Sequence, residues 1–343
     1  MRLLVVSATG YTLGMVPHLL REGHSVETCT RDKATLSNVS SLLATGPYTA
    51  AIFDSYQHSP IAESLCKKGI RAIGISSWSK LLYSDTAYRF ELAKAIGYNL
   101  ATKTTDGTKF VAVGWFNGNS YISNFIVFNY TKTMSGDVGT DVACSGYVAH
   151  FPRGTTKLYN IIYKPLEKFL RKANHKGPFS VSCIANSDGI FVSDISASIT
   201  DAYTQAIFEN TSASKSDVLL SILDETSKPV KHIDQWAAGV MVSVYPYPHN
   251  SLNEPVLVDG VNSSNIKHSW FMDLNKNSNG DWSSGTLSGC LGYITARGTT
   301  IEESTRRIYR TLRNIKVDGI QYRNDVGRGM YDKYNSLRKL KVI

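Results

Sequence analysis

The first hundred residues alternate short apolar runs with segments of helix length, and this alternation constrains the fold more than any other feature of the chain. Arg2–Val6 (RLLVV) reads as a buried strand and Ser25–Thr30 (SVETCT) as a second. Tyr48–Asp54 and Arg71–Ser76 supply a third and a fourth. Helix candidates fall between them at Met15–Glu22, Thr35–Leu43 and Ile61–Lys68. Strands alternating with helices at this spacing build a parallel sheet with helices on both faces. Pro17 fits only a first helical turn, so its helix starts near Met15. Asp85–Gly97 is a cleaner helix, with Asp85 to cap it and Gly97 to end it.

The pattern changes at Lys109. Lys109–Phe116, Ser120–Phe128, Phe179–Ala185 and Gly189–Ile195 are strand-like, with turns at Asn117-Gly118-Asn119 and Ser187-Asp188-Gly189. Lys157–Ala173 is amphipathic at helical spacing, and Pro165 marks a kink or an interior start. Tyr203–Phe208 and Asp217–Glu225 are further helical segments. Ala237–Tyr245 and Cys290–Ala296 read as strands, Asn250–Asn253 and Asn275–Ser284 as loops. Thr300–Asn314 is a helix with Ile301, Ile308, Leu312 and Ile315 inward and Arg306, Arg310 and Arg313 outward. The expected class is α/β, α+β in parts, with divisions at 1–97, 98–234 and 235–343.

With 343 residues, 42% of them hydrophobic, the chain can bury a sizeable core, which excludes a disordered or low-complexity protein. No apolar run approaches the roughly 20 residues of a membrane-spanning helix. The opening MRLLVVSATG reads as strand and turn, not as a leader. Five scattered cysteines without a CxxC fit a reduced, intracellular (cytoplasmic) protein. The net charge is +9, and residues 297–341 carry twelve basic side chains against five acidic ones. That stripe, with Arg306, Arg310 and Arg313, is either a phosphate or nucleic-acid surface or a solvated helix face.

Three segments are placed to do chemistry. Ser7-Ala8-Thr9-Gly10 follows the first strand where a phosphate-binding turn would lie, with Ser7, Thr9 and Gly10 as candidates against a purely structural turn. Ser135–Asp141 contains Gly136 and Asp137 in a small polar loop able to offer N–H groups to an anion, or simply to connect. Asp194 and Asp201 end or follow a strand, where carboxylates hold Mg²⁺ or act as caps. There is no P-loop, HExxH or GxSxG pattern, and these residues alone leave the catalytic groups unknown.

Cys290–Glu303 (CLGYITARGTTIEE) and Asp318–Gly327 (DGIQYRNDVG) resemble the C-terminal domain of phosphoribosylamine–glycine ligases, the ATP-grasp enzymes of purine synthesis. That family ends in "GVTALGDT", a helix starting "LEEA", then "G-x-x-YR-x-DIG". Ala237–Pro248 resembles its "VVLAS-x-GYP" strand and turn. Ile73–Gly97, Gly136–Gly139 with Gly146, and Phe179–Gln205 extend the resemblance over most of the chain. It implies a Rossmann-like domain at 1–97, a reduced ATP-grasp-like domain at 98–234 and a ligase-like C-terminal domain with a basic tail at 235–343. It also implies ATP and Mg²⁺ as cofactors, a small-molecule substrate, and amide formation through an acyl phosphate.

Departures fall on the chemistry. The Glu and Asn of the family's "EFN" magnesium motif correspond to Asp194 and Ser196, and the following Arg to Ser198, which loses a fixed fork of donors. The family's nucleotide lid would follow the helix ending at Gly97, yet Tyr98–Lys109 passes directly into strands. Two readings follow. One is a carboxylate–amine ligase scaffold whose ATP-dependent activity is called into question, with Asp194, Ser196, Asp201, Gly136 and Asp137 in its nucleotide or metal cleft. The other is a lid-less relative that binds a phosphorylated ligand or nucleic acid through its basic C-terminal face.

Overall fold

A computed structural model describes residues 1–30, 38–39, 41–42, 46–154, 156–276, 278–285 and 288–343. Strands β1 (Arg2–Ser7), β2 (Ser25–Thr30), β3 (Ala50–Phe53) and β4 (Arg71–Ile73) form a parallel sheet in the order β2-β1-β3-β4. Helices α1 (Val16–Arg21), with Pro17 in its first turn, and α2 (Ser59–Lys67) are two of the crossovers. The helix expected over Thr35–Leu43 lies largely outside the described residues. Helix α3 (Ser77–Ser84), which the sequence reading did not anticipate, starts with a reciprocal Ser76/Ser79 capping box. Helix α4 (Thr86–Ile96) is capped by the Asp85 carboxylate, which accepts from Tyr88 N–H at 2.9 Å, and ends at Gly97 in the left-handed region.

From α4 the chain runs along a strand edge. Ala101 N–H donates to the Val192 carbonyl at 2.8 Å, and Val192 N–H donates to the Asn99 carbonyl at 2.7 Å. A tight turn closed by Thr105 N–H on the Thr102 carbonyl follows at 3.1 Å. The chain then enters β5 (Thr108–Asn117). Between Ile96 and Thr108 there is thus a connector with one isolated bridge, Leu100 to Val192, and no sheet of its own.

The second sheet is large and antiparallel. It comprises β5, β6 (Tyr121–Met134), β7 (Val138–His150), β8 (Lys176–Asn186), β9 (Gly189–Ser196), β10 (Trp236–Val244), β11 (Ser269–Phe271), β14 (Cys290–Gly298) and β15 (Ile320–Gln321). The order is β11-β14-β10-β7-β6-β5-β8-β9, with β15 also on β10. Because β10 pairs with β7 and β14, the sheet runs without a break past residue 235. The loop expected over Asn275–Ser284 contains a short hairpin, β12 (Leu274–Lys276) with β13 (Trp282–Ser284).

Both faces of this sheet are covered, which is why every residue of β10 is buried. One face packs against α4, α5 (Lys164–Lys172), α8 (Ile301–Leu312) and α9 (Met330–Lys339) through Leu92, Leu166, Ile308 and Leu337. Pro165 stands in the first turn of α5, behind a π-helical turn at Tyr159–Tyr163. The other face meets the parallel sheet and helices α6 (Ala206–Glu209) and α7 (Lys215–Leu223) around Val5, Ile52, Trp115, Tyr147 and Ile222. The carboxyl ends of β1, β3 and β4 therefore face the end of β9. Ligands of open parallel sheets bind outside the carboxyl ends of the strands.

Candidate functional site

The turn after β1 is built around a carboxylate from β3's far end. Asp54, 4% exposed, accepts from Ala8 N–H at 2.8 Å, Thr12 N–H at 3.3 Å, Thr12 Oγ1 at 3.2 Å and the Ser7 hydroxyl. Thr9 N–H reaches the same carboxylate at 3.4 Å. Gly10 N–H donates to Ser7 Oγ at 2.9 Å. The left-handed Gly10 lies so close to the Met272 carbonyl that a Cβ would come within 2.8 Å of it. The donors that made this turn a phosphate candidate thus converge on the protein's own anion, and an external phosphate would have to displace it.

Beside this turn is a small pocket of about 110 Å³, lined among others by Thr9, Asp54, Tyr56, Ser196 and Ser198. Gly74 closes its floor: its φ is +98°, its N–H donates to the Lys176 carbonyl at 3.2 Å, and a Cβ would meet the Phe53 carbonyl at 2.4 Å. Ser196 and Thr9, expected to belong to different clusters, share this pocket.

Asp194 and Asp201 lie at the β9 edge. A bulge shifts the β8–β9 register between Ser182 and Cys183, leaving Asp194 opposite Ser182 and Ser196 opposite Ser180. Asp194 is half exposed, and the Arg89 guanidinium of α4 lies 3.2 Å from its Oδ1. Asp201 accepts from Ser180 Oγ at 2.8 Å. Burial pushes the Asp201 carboxyl up to about 6, hydrogen bonds from Ser180 and Tyr203 opposing the rise and the charge of Asp194 adding to it.

The magnesium site that the resemblance implies needs hard oxygen donors free to take a cation. Among the described residues no group of three acidic, histidine or cysteine side chains is placed to hold a metal ion. Asp194 already has a guanidinium beside it, and Ser196 offers only a hydroxyl. These residues do not fit the implied magnesium site.

Gly136 and Asp137 form the tip of the β6–β7 hairpin, with Asp137 at a φ of +57°. Strand β7 begins at the next residue, where the sequence reading placed a loop to Asp141. The tip is locked to the C-terminal motif. Arg323, 1% exposed, makes a two-pronged pair with Asp325 at 2.9 Å on each arm, and donates to Asp137 at 2.8 Å and to the Lys132 carbonyl at 3.0 Å. Gly136 N–H donates to Asp325 Oδ2 at 2.8 Å. Among the described residues, no hydrogen bond or ion pair joins this cluster to Asp194 or Asp201.

Arg306 and Arg310 are exposed on α8 and Arg313 caps its C-terminal end, also exposed; of the three, Arg310 lines the cleft between α1 and α8. The five cysteines are not joined in disulfides, and burial pushes Cys144 and Cys290 up to about 12, far from nucleophilic. His150, His175 and His232 are lowered to about 4, each chiefly by burial, and act as neutral core rings. Asp54 and Arg89 escaped the sequence reading. Asp54 had a signal, an acid closing a buried parallel strand beside a polar turn, whereas Arg89 on an ordinary helix had none.

No protein-family profile matches the chain. Among curated proteins, the phosphoribosylamine–glycine ligase of Streptomyces coelicolor is 23% identical over 209 residues, 58% of this chain and 50% of that protein. That of Streptococcus pneumoniae serotype 4 is 23% identical over 229 residues, 65% of this chain and 54% of that one. The chain spans about half the length of the curated relatives it matches. Among solved structures, phosphoribosylamine–glycine ligase from Thermotoga maritima superposes with a TM-score of 0.73 at 13% identity, covering 95% of this chain and 100% of that one. The biotin carboxylase domain of a single-chain bacterial carboxylase gives 0.61 at 8% identity, covering 98% and 96%. The fold is therefore of the ATP-grasp and biotin carboxylase type. In sequence and in fold the chain is similar, at low identity, to phosphoribosylamine–glycine ligases. None of its described helices is long and apolar enough to cross a membrane.

Proposed function

We propose that this chain is a ligase-like scaffold that binds a small molecule at the junction of its two sheets and no longer turns over ATP. The observation that carries this reading is the connector between Ile96 and Thr108. The resemblance calls for a nucleotide lid at this point. In its place a few residues lie against the edge of β9 and pass straight into the large sheet. A catalytic phosphoryl transfer depends on positioning and on charge stabilisation around the transferred group, and a segment this short cannot enclose a triphosphate. The altered motif supports the same conclusion: Ser196 and Ser198 replace an amide and a guanidinium, and Asp194 lies beside Arg89.

A second reading is favoured by the sequence resemblance itself. It is an ATP-dependent C–N ligase in which a carboxylate is phosphorylated and an amine attacks the acyl phosphate. The two readings separate in an ADP-release assay with ATP, Mg²⁺, glycine and phosphoribosylamine, extended to other carboxylate–amine pairs. The scaffold reading expects ADP no faster than without protein. ADP released in step with an amide product would overturn it in favour of the ligase.

A further inference from the structure

A basic cleft of about 720 Å³ lies away from the sheet junction, between the end of α1, the turn at Ile266–His268, the end of β14 and helix α8. Its size falls within the roughly 300–1,000 Å³ of small-molecule sites. Six cationic side chains line it: Arg21, Lys215, Lys267, Arg297, Arg307 and Arg310. They come from five separate parts of the chain, and three of them stand outside the C-terminal stripe.

The two acidic side chains in the cleft are already committed. Glu22 accepts from the backbone N–H groups of Lys215 and Ser216 at 2.6 and 2.9 Å, at the start of α7. Glu209 is buried and bound by His268 Nδ1 at 2.8 Å and Thr295 Oγ1 at 2.9 Å. Arg297 and Arg307 lean on Asp234 and Glu303. Among the described residues Arg21 donates only to the Ser263 carbonyl, at 2.9 Å, and the half-buried Lys215 ammonium to the Phe208 carbonyl. Among the described residues, Lys267 and Arg310 have no side-chain hydrogen bond or ion pair. Burial lowers the Lys215 pKa, with Glu209 and Glu22 opposing and Arg297 adding to the fall.

We infer that this cleft is a binding site for a small multiply charged anion of the phosphate-ester or pyrophosphate class. Its unneutralised cations stand on separate walls, which suits a ligand with two anionic groups. Among the described residues no aromatic side chain other than histidine lines the cleft, so none of them would stack on a flat base. Arginine and lysine supply the charge-assisted donors such groups require. The inference does not rest on the proposed loss of ATP turnover, since the cleft shares no lining residue with the junction pocket.

The test is calorimetric titration of the full chain with inorganic pyrophosphate at low salt, for the wild type, Lys267→Ala, Arg310→Ala and the control Arg313→Ala. Arg313 is exposed at the C-terminal cap of the same helix and does not line the cleft. Saturable one-to-one binding is expected, weakened roughly tenfold by each of the first two changes and by less than about twofold by the control. Circular dichroism shows that each variant is folded. Three results would overturn the inference: no binding by the folded wild type, equal weakening by all three changes, or a single-stranded oligonucleotide that binds more tightly than pyrophosphate and loses affinity equally with Arg306→Ala, Arg310→Ala and Arg313→Ala. The last would mark a nucleic-acid face. Because every readout is binding without ATP, failure here leaves the ADP assay unaffected.

Discussion

Asp54 holds the turn after β1 in the way a bound phosphate would. Its carboxylate satisfies N–H and hydroxyl donors from the buried Ser7 and Thr12 and the N–H of the half-buried Ala8. Removing one partner of buried donors costs about 1–3 kcal/mol. Asp54→Ala is therefore expected to lower unfolding free energy by about 3 kcal/mol, and Asp54→Asn by less, as read from urea denaturation. Asp201 makes a pH prediction. Burial pushes its folded-state carboxyl up to about 6, above the roughly 3.9 of an unfolded aspartate. Between those values the native state keeps a proton that the unfolded chain has released, so stability falls as pH rises through the window and levels off above it. Asp201→Asn should flatten that part of the profile by on the order of 1 kcal/mol. Denaturation at pH 4, 5, 6 and 7 checks this, and an unchanged slope would contradict it. Ser7 and Gly10 were legible as a turn because of their place after a strand. What fills the turn was not, because Asp54 is more than forty residues away in sequence.

At the scale of elements, the hairpin β6–β7 and the C-terminal motif act as one unit. Arg323 has Asp325 on one side, Asp137 and the Lys132 carbonyl on the other, and Tyr130's ring beneath it at 4.2 Å. Cutting one partner from a buried charge pair costs about 3–5 kcal/mol, so Arg323→Ala is expected to lose that much in a denaturant titration. Arg323→Lys should recover little, because a lysine cannot serve both carboxylates with a planar fork. Recovery by lysine would show that only the charge matters. The regular elements of the first hundred residues were readable because caps and alternation are local: Asp85, Gly97 and Pro17 each mark the boundary they were read to mark. The long strand β7 was not. Its first residues, Val138–Asp141, are polar and Gly-containing because they project beyond the core, and the signal there is the same for a loop. Helix α9 was also missed, having only Met330 and Leu337 buried in a polar, basic segment.

For the whole molecule, one sheet of nine strands carries both the ATP-grasp-like and the C-terminal regions, and the parallel domain closes one of its faces. The resemblance pointed to this class because its motifs sit on β8, β9, β10 and β14, four strands of that one sheet. It did not reveal the basic cleft, whose cations are scattered from Arg21 to Arg310 and meet only in the fold. Of the three outward arginines on α8 and its C-terminal cap, the fold sends one to that cleft. We propose that this framework keeps a ligase-like architecture without a device for gripping a nucleotide. Titrating the full chain with MgATP by calorimetry decides it. No saturable heat up to millimolar ATP is the expected result, and a one-to-one isotherm with a micromolar Kd would contradict it.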